Sequence, residues 1–227
     1  MVIKDIVQTF YKRRFETKVN ENMLEYDYSF PDDEVMDYIN TITAVPMDSF
    51  LNEAFDQGND LIITTSDLLQ FSSLDDATTV ICNKYSEEGD PGFSAEETGR
   101  LLLNDKNAKK LAYRKYGENH AKAAEALGLV YSITNVYFLS CLGTKYTKLE
   151  RSTANKLLTR MVLRTNEIYQ LYRNYKEKGH TDARSYMGML SDSTYRRRRS
   201  NLRRLLLVLK DSTEYDFSEF INSIYIL

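Results

Sequence analysis

Arg196-Arg197-Arg198-Arg199 and Arg203-Arg204 put six arginines into nine residues, directly after Ser191-Asp192-Ser193-Thr194-Tyr195. Arginine forks two N–H donors onto a phosphate or onto the acceptor edge of guanine, so this density suits contact with nucleic acid. The element that must hold them is a helix. Leu202, Leu205, Leu206 and Leu209 recur at the spacing of one buried helical face. Ser191, Asp192 and Ser193 are all suited to cap its start, with Leu190 before them as a staple. On that helix Tyr195, Arg196, Arg197, Arg198, Arg199, Arg203 and Arg204 are the expected DNA contacts, with Arg196, Arg197, Arg199, Arg203 and Arg204 fanning over the outward face. Four consecutive arginines span about 300° of a helical wheel, so one of the run Arg196 to Arg199 must skirt the core. A solvated basic face, or a patch for an acidic protein, is the competing reading of the same residues.

Charge is distributed unevenly along the chain. Residues 1–90 hold 6 Lys and Arg against 19 Asp and Glu, and residues 91–227 hold 24 against 14, a balance of −13 and then +10. The overall charge of −3 hides this polarity. Within residues 99–210 the balance is 24 to 8, a surface on which counterion release would drive sequence-independent binding to DNA or RNA.

A hydrophobic content of 42% with 12% aromatic residues is ample for packed cores, and 9 Gly with 3 Pro favours helices over long linkers. No apolar run reaches bilayer length, and Met1-Val2-Ile3-Lys4-Asp5 lacks a secretory apolar core, so the cytoplasm is the expected compartment. Cys82 and Cys141 have no ligand spacing and read as buried thiols. With only His120 and His180 available, no zinc centre is expected.

The expected architecture is mainly α, with tandem winged helix-turn-helix modules preceded by a small acidic α+β domain. That domain covers residues 1–90. It holds a helix over 2–14, a strand over 23–28, a helix opened by Pro31-Asp32-Asp33-Glu34, and another from Pro46 through Phe55. Leu61 to Thr65 and Thr78 to Cys82 are β-prone. Gly89-Asp90-Pro91-Gly92 then makes a four-residue break where the charge changes sign. A first module over 91–149 follows, with a capping box at Ser94 to Glu97 and helices through Leu103, over 106–114 and over 118–127. A hairpin over 129–139 completes it. A second module over 150–227 runs from a long helix, Arg151 to Tyr175, through a Gly179 stop and a short helix after Asp182 to the arginine helix. Asp211 to Asp216 leaves that module without a basic wing.

Tyr116-Gly117-Glu118-Asn119-His120-Ala121-Lys122-Ala123-Ala124-Glu125-Ala126-Leu127-Gly128-Leu129-Val130, with the hairpin and Leu142-Gly143 behind it, resembles the winged-helix modules in the recognition parts of type II restriction endonucleases. The recognition region of the FokI type, which strings several such modules, is similar. Ser193-Thr194-Tyr195-Arg196-Arg197-Arg198 likewise resembles the Ser-Thr-x-x-Arg-Arg opening of a helix in related modules. The resemblance covers about residues 92–210. It implies a helix that packs on its wing and projects its other face into DNA.

The first module's candidate contacts are Lys115, Asn119, His120 and Lys122, with Asn119 able to read adenine bidentately. For His120 the alternative is a surface or satisfied core histidine. Lys145 and Lys148 after the hairpin suit phosphate. Endonucleases of the resembled kind cut with two carboxylates and a lysine around Mg²⁺, and Glu16-Thr17-Lys18 after Asp5 matches the triplet. A helical 2–14 does not provide the strand context that the triplet needs, so no metal or other cofactor is expected. Mg²⁺ enters only if the chain is itself a nuclease.

The expectation is a noncatalytic protein that reads double-stranded DNA through two helix-turn-helix modules, as the recognition subunit or domain of a restriction or defence system. Its acidic domain would dock a partner subunit supplying nuclease activity. A small Mg²⁺-dependent endonuclease using Glu16 and Lys18 is the enzyme alternative, and a transcriptional repressor or protein-binding adaptor is the other.

Overall fold

A computed structural model describes residues 2–10, 32–55, 65, 68–105 and 107–225, and among these the chain is mainly helical. Residues 3–10 form helix α1, which buries Ile6, Val7 and Phe10. Helix α2 (Asp32–Ala44) buries Val35, Ile39 and Ile42, and α3 (Met47–Phe55) buries Met47, Phe50, Leu51 and Ala54. These helices begin where Pro31 and Pro46 signal a start. The expected strands at 23–28 and 61–64 lie outside the described residues.

Thr78 to Cys82, read as β-prone, is helical. A π-helical turn at Asp76–Val80 runs into α4 (Ile81–Glu87). Ala77, Ile81, Cys82 and Tyr85 are all buried at helical spacing, and Thr78 Oγ1 donates to the Leu74 carbonyl at 2.9 Å. Burial of a helical face overrides the strand preference of Thr and Val.

Next come β1 (Phe93–Ser94), α5 (Ala95–Leu102), α6 (Lys110–Ala126), β2 (Val130–Ile133), β3 (Val136–Leu139) and α7 (Cys141–Tyr146). Ser94 caps α5 in a reciprocal box with Glu97, as its spacing predicts. The three strands form one antiparallel sheet in the order β1-β3-β2. The hairpin turns through Thr134 and Asn135, both at positive φ.

The expected helices at 106–114 and 118–127 are one helix, α6. Gly117, between the two expected helices, lies in the middle of α6 at a close crossing with α5. A Cβ on Gly117 would run into the Ala95 carbonyl and the Gly99 amide, and a Cβ on Gly99 into the Tyr113 carbonyl. The glycines serve close approach of two backbones, a role that local propensity does not distinguish from a helix end.

The remaining elements are α8 (Arg151–Leu163), α9 (Asn166–Lys178), β4 (Thr181–Asp182), α10 (Ala183–Tyr186), α11 (Asp192–Lys210), α12 (Ser218–Ser223) and β5 (Ile224–Tyr225). The expected long helix from Arg151 breaks between α8 and α9, where the Thr165 hydroxyl donates to the Val162 carbonyl at 2.7 Å. Gly179 ends α9 in the left-handed conformation at φ 75°, and β4 pairs in parallel with β5.

The chain divides into two compact units, and neither is one continuous stretch. The first comprises Met1–Tyr11, Thr41–Leu69 and Asn155–Leu227, and the second Lys12–Asn40 and Gln70–Ala154. This differs from three consecutive domains at 1–90, 91–149 and 150–227, for two physical reasons. Around residue 90 the chain packs on itself: the Asp90 carboxylate accepts from the Leu139 N–H at 3.0 Å, and Tyr85 stacks on Phe93 at 4.3 Å. The Gly-Asp-Pro-Gly break is therefore a turn inside the second unit. Meanwhile α1 and α3 need a cover for their apolar faces and find it in C-terminal residues, with Phe55 stacked on Tyr169 at 4.8 Å.

Buried charge fixes the first unit. Arg160, with no exposed side-chain surface, forks onto Glu214 through two bonds of 3.0 Å and donates to the Val45 carbonyl at 2.7 Å. Arg164 donates to the Phe10 carbonyl at 2.9 Å, with its guanidinium 4.3 Å from the Phe10 ring centre. Glu167 accepts from the Leu69 N–H. Among the described residues no helix is long and apolar enough to cross a membrane.

The α5–α6 crossing leaves no room for a methyl group, whereas a Cβ at Gly179 would meet nothing within 4 Å. Gly117→Ala should cost about 2–3 kcal/mol through overpacking, against about 1 kcal/mol for Gly179→Ala through left-handed strain. Urea unfolding followed by circular dichroism checks this order.

Candidate nucleic-acid interface

The arginine helix α11 starts at Ser191, whose hydroxyl accepts from the Thr194 N–H at 3.4 Å, and Asp192 lies in the first turn, where the helix dipole favours an acid. Its inner face buries Tyr195, Asn201, Leu202, Leu205, Leu206 and Leu209. The opposite ridge is Arg196, Ser200, Arg203, Leu207 and Lys210, alternating at four and three residues, and every member is exposed. Arg197 is exposed beside it, and Arg199 and Arg204 are half-buried.

Arg198 is the arginine that turns inward. Its Nη1 donates to the Leu68 carbonyl at 2.9 Å, and Asn201 donates to the Leu69 carbonyl at 3.1 Å. With Glu167 on the Leu69 N–H, three side chains hold this short stretch of backbone in place. Burial pushes the Arg198 guanidinium below its ordinary pKa, and the Arg197 charge adds to that, while the Glu167 carboxylate opposes it. Arg198 thus belongs to the fold rather than to the contacting face. Arg204 is partly spent as well, on Asn201 Oδ1 at 3.2 Å.

Tyr195, expected on the contacting side, is only 6% exposed. It lies under Arg184, whose guanidinium sits 4.5 Å from the ring centre and donates to Asp192 Oδ1 at 2.8 Å. Arg184, Asp192, Tyr195, Arg196 and Arg199 line a cleft of about 550 Å³. Arg184 stands outside the arginine run and was missed from sequence. Its spacing of eight residues before Asp192 carries no signal until the short α10 folds back beside α11.

In the second unit the candidate contacts share helix α6 but not one face. Lys115 is exposed, Asn119 is half-buried, and Lys122 is exposed but pairs with Glu118 at 2.6 Å. His120 is 1% exposed and stacks on Tyr116 with ring centres 4.1 Å apart. Its Nδ1 lies 2.8 Å from the Tyr116 carbonyl and its Nε2 accepts from the Ser72 and Ser73 N–H groups at 3.3 and 3.4 Å. That pattern fixes the neutral tautomer with the proton on Nδ1. The satisfied core histidine is the role it fills, and it is not available to a base. Lys148 is exposed and Lys145 half-buried.

At the basic start of the same helix, sequence reasoning found Lys115 but missed Lys109, Lys110 and Arg114. Lys109, Lys110, Arg114 and Lys115 are all exposed, with Lys110 3.2 Å from Glu96. The four- and five-residue spacing from Lys110 to Arg114 and Lys115 is the available signal.

Glu16 and Lys18 lie outside the described residues, and Asp5 is exposed. Among the described residues no group of three or more His, Cys, Asp or Glu is placed to hold a metal ion. Compared with known proteins, the chain shows no significant match to a family model, a curated protein or a solved structure.

Burial pushes the His120 pKa below its ordinary value of 6.5, against the raising effects of the Tyr116 carbonyl and the Asp76 carboxylate. A base whose folded pKa is depressed contributes stability above its unfolded pKa, and that contribution is lost as pH falls toward the folded pKa. His120→Asn should therefore flatten the loss of stability below about pH 6.5 relative to the unsubstituted chain. Urea titrations at stepped pH, with NMR titration of the His120 ring, check the sign.

Proposed function

We propose that the chain binds double-stranded DNA, with α11 as the contacting helix of the first unit and α6 as that of the second. The observation that carries this reading is the exposed ridge of α11. Arg196 and Arg203 stand two turns apart on it, while the opposite face is anchored by four leucines and by Arg198 on Leu68. A helix needs that combination of a rigid apolar back and a free basic front to enter a major groove without losing its own packing.

The order of elements supports a winged-helix reading of the second unit. Helix α4, strand β1, helices α5 and α6 and then the β2–β3 hairpin follow one another, with β3 central in the sheet. The second helix of such a module is the reader, and α6 enters it with Lys110, Arg114 and Lys115 exposed. Helix, strand, short helix and long helix recur in the first unit as α9, β4, α10 and α11. There β5 returns parallel to β4, and no basic hairpin follows α11.

The similarity to the recognition modules of type II restriction endonucleases makes a recognition role in restriction or defence the favoured setting. Nuclease activity would then come from a partner subunit.

Fluorescence anisotropy of a labelled random-sequence duplex, titrated at several salt concentrations with and without Mg²⁺, tests the proposal. Arg196→Ala combined with Arg203→Ala should weaken binding and lower the salt slope by about two, one for each lost phosphate contact. Arg198→Ala should instead lower stability by about 1–3 kcal/mol, because it leaves the Leu68 carbonyl unpaired, and should leave the salt slope unchanged. Wild-type affinity and slope in the double variant would remove α11 from the interface. Cleavage in Mg²⁺ would make the chain itself the nuclease.

A further inference from the structure

The cleft at the start of α11 has properties that duplex contact does not require. Among the described residues its wall carries three guanidiniums, Arg184, Arg196 and Arg199, and one carboxylate, Asp192, so three positive charges less one negative leave two. Tyr195 is more than nine-tenths buried in that wall, and its hydroxyl makes no hydrogen bond among the described residues. Arg184 Nη1 is buried and likewise unpaired there. Asp192 is 84% exposed and holds the Arg184 guanidinium through a 2.8 Å contact. Exposed at one end and paired at the other, it is the group most easily displaced by a better anion.

We propose that this cleft binds a phosphate monoester, whose oxygens replace the Asp192 carboxylate on Arg184. A backbone phosphodiester carries one negative charge, whereas a monoester carries about −1.5 to −2 at pH 7, which matches the two uncompensated positive charges. Arg184 and Arg199 supply forked donors in the geometry that phosphate takes. Tyr195 supplies a neutral donor that has no other partner among the described residues. The first turn of α11 adds the positive end of its dipole. A volume of about 550 Å³ lies within the roughly 300–1,000 Å³ of small-molecule sites, so the sugar or base attached to the phosphate fits as well. The monoester can be a free nucleotide or the 5′-phosphorylated end of a strand. The cleft shares Arg196 with the exposed ridge of α11, but Arg184 and Tyr195 lie off that ridge, so variants at these two test the proposal separately from the duplex reading.

The test uses the full chain and two matched pairs of probes in isothermal titration calorimetry: 5′-AMP against adenosine, and a short single strand with a 5′-phosphate against the same strand with a 5′-hydroxyl. Binding to closed circular DNA, which has no ends, is measured separately and reports on duplex binding alone. The phosphorylated member of at least one pair should bind about tenfold more tightly or better. Tighter binding of 5′-AMP assigns the free nucleotide, and tighter binding of the strand assigns the strand end. Arg184→Gln and Tyr195→Phe should each erase most of the preference while leaving closed-circle binding unchanged. Asp192→Asn should strengthen phosphate binding several-fold, a gain that misfolding cannot imitate. Equal affinity within both pairs overturns the proposal. So does a preference that all three variants retain in full.

Discussion

A guanidinium with no exposed surface is the constraint around which the first unit is arranged. Removing Arg160 from water costs several kcal/mol in effective desolvation, so its charge is matched and both terminal nitrogens of its guanidinium are hydrogen-bonded, while its Nε has no partner among the described residues. Glu214 matches the charge with both carboxylate oxygens, and the carbonyls of Val45 and Lys156 accept from the same fork. Lys156 lies one turn away in the same helix, whereas Glu214 and Val45 come from distant parts of the chain. The Phe50 ring lies 5.4 Å from the guanidinium carbon on another side. Such a group adds little net stability compared with an apolar replacement, but it penalises any arrangement that leaves it unpaired. It therefore specifies which segments meet.

Arg164, Glu167 and Arg198 extend the same logic outward. Each uses a charged side chain to satisfy a backbone group of the N-terminal part of the chain, at Phe10, Leu69 and Leu68 respectively. The tyrosines of α9 fill the space between with aromatic packing onto Phe55, Phe217 and Phe220. Described residues of the acidic N-terminal part thus share the core of the first unit with the basic C-terminal part. The second unit is held differently, by two helices whose backbones touch at Gly99 and Gly117 and by a small sheet pinned through Asp90.

Within six arginines the fold separates roles that composition cannot. Arg198 is a structural donor, Arg204 is half committed to Asn201, Arg196 and Arg199 face a cleft, and Arg197 and Arg203 stand in solvent. The separation follows from the helical period alone once the leucine face is buried. Which arginine meets the Leu68 carbonyl, however, depends on a segment 130 residues earlier in the chain.

Helical character, most helix starts and the amphipathic arginine helix are legible in the chain without its fold, because capping residues, prolines and apolar periodicity act within a few residues of one another. Ser94, Ser191 and Gly179 all do what their local context predicts. The sequence also required that one arginine of the run turn inward. Long-range packing was needed to place Gly117 at a helix crossing, His120 in the core and Gly89 to Gly92 in an internal turn. It alone assembled Arg184 with the start of α11, and it alone gave Lys110 and Arg114 to the same helix as Lys115. In each case the deciding partner is a backbone carbonyl, an amide or an aromatic ring remote in sequence, so the relevant energy is absent from any local window.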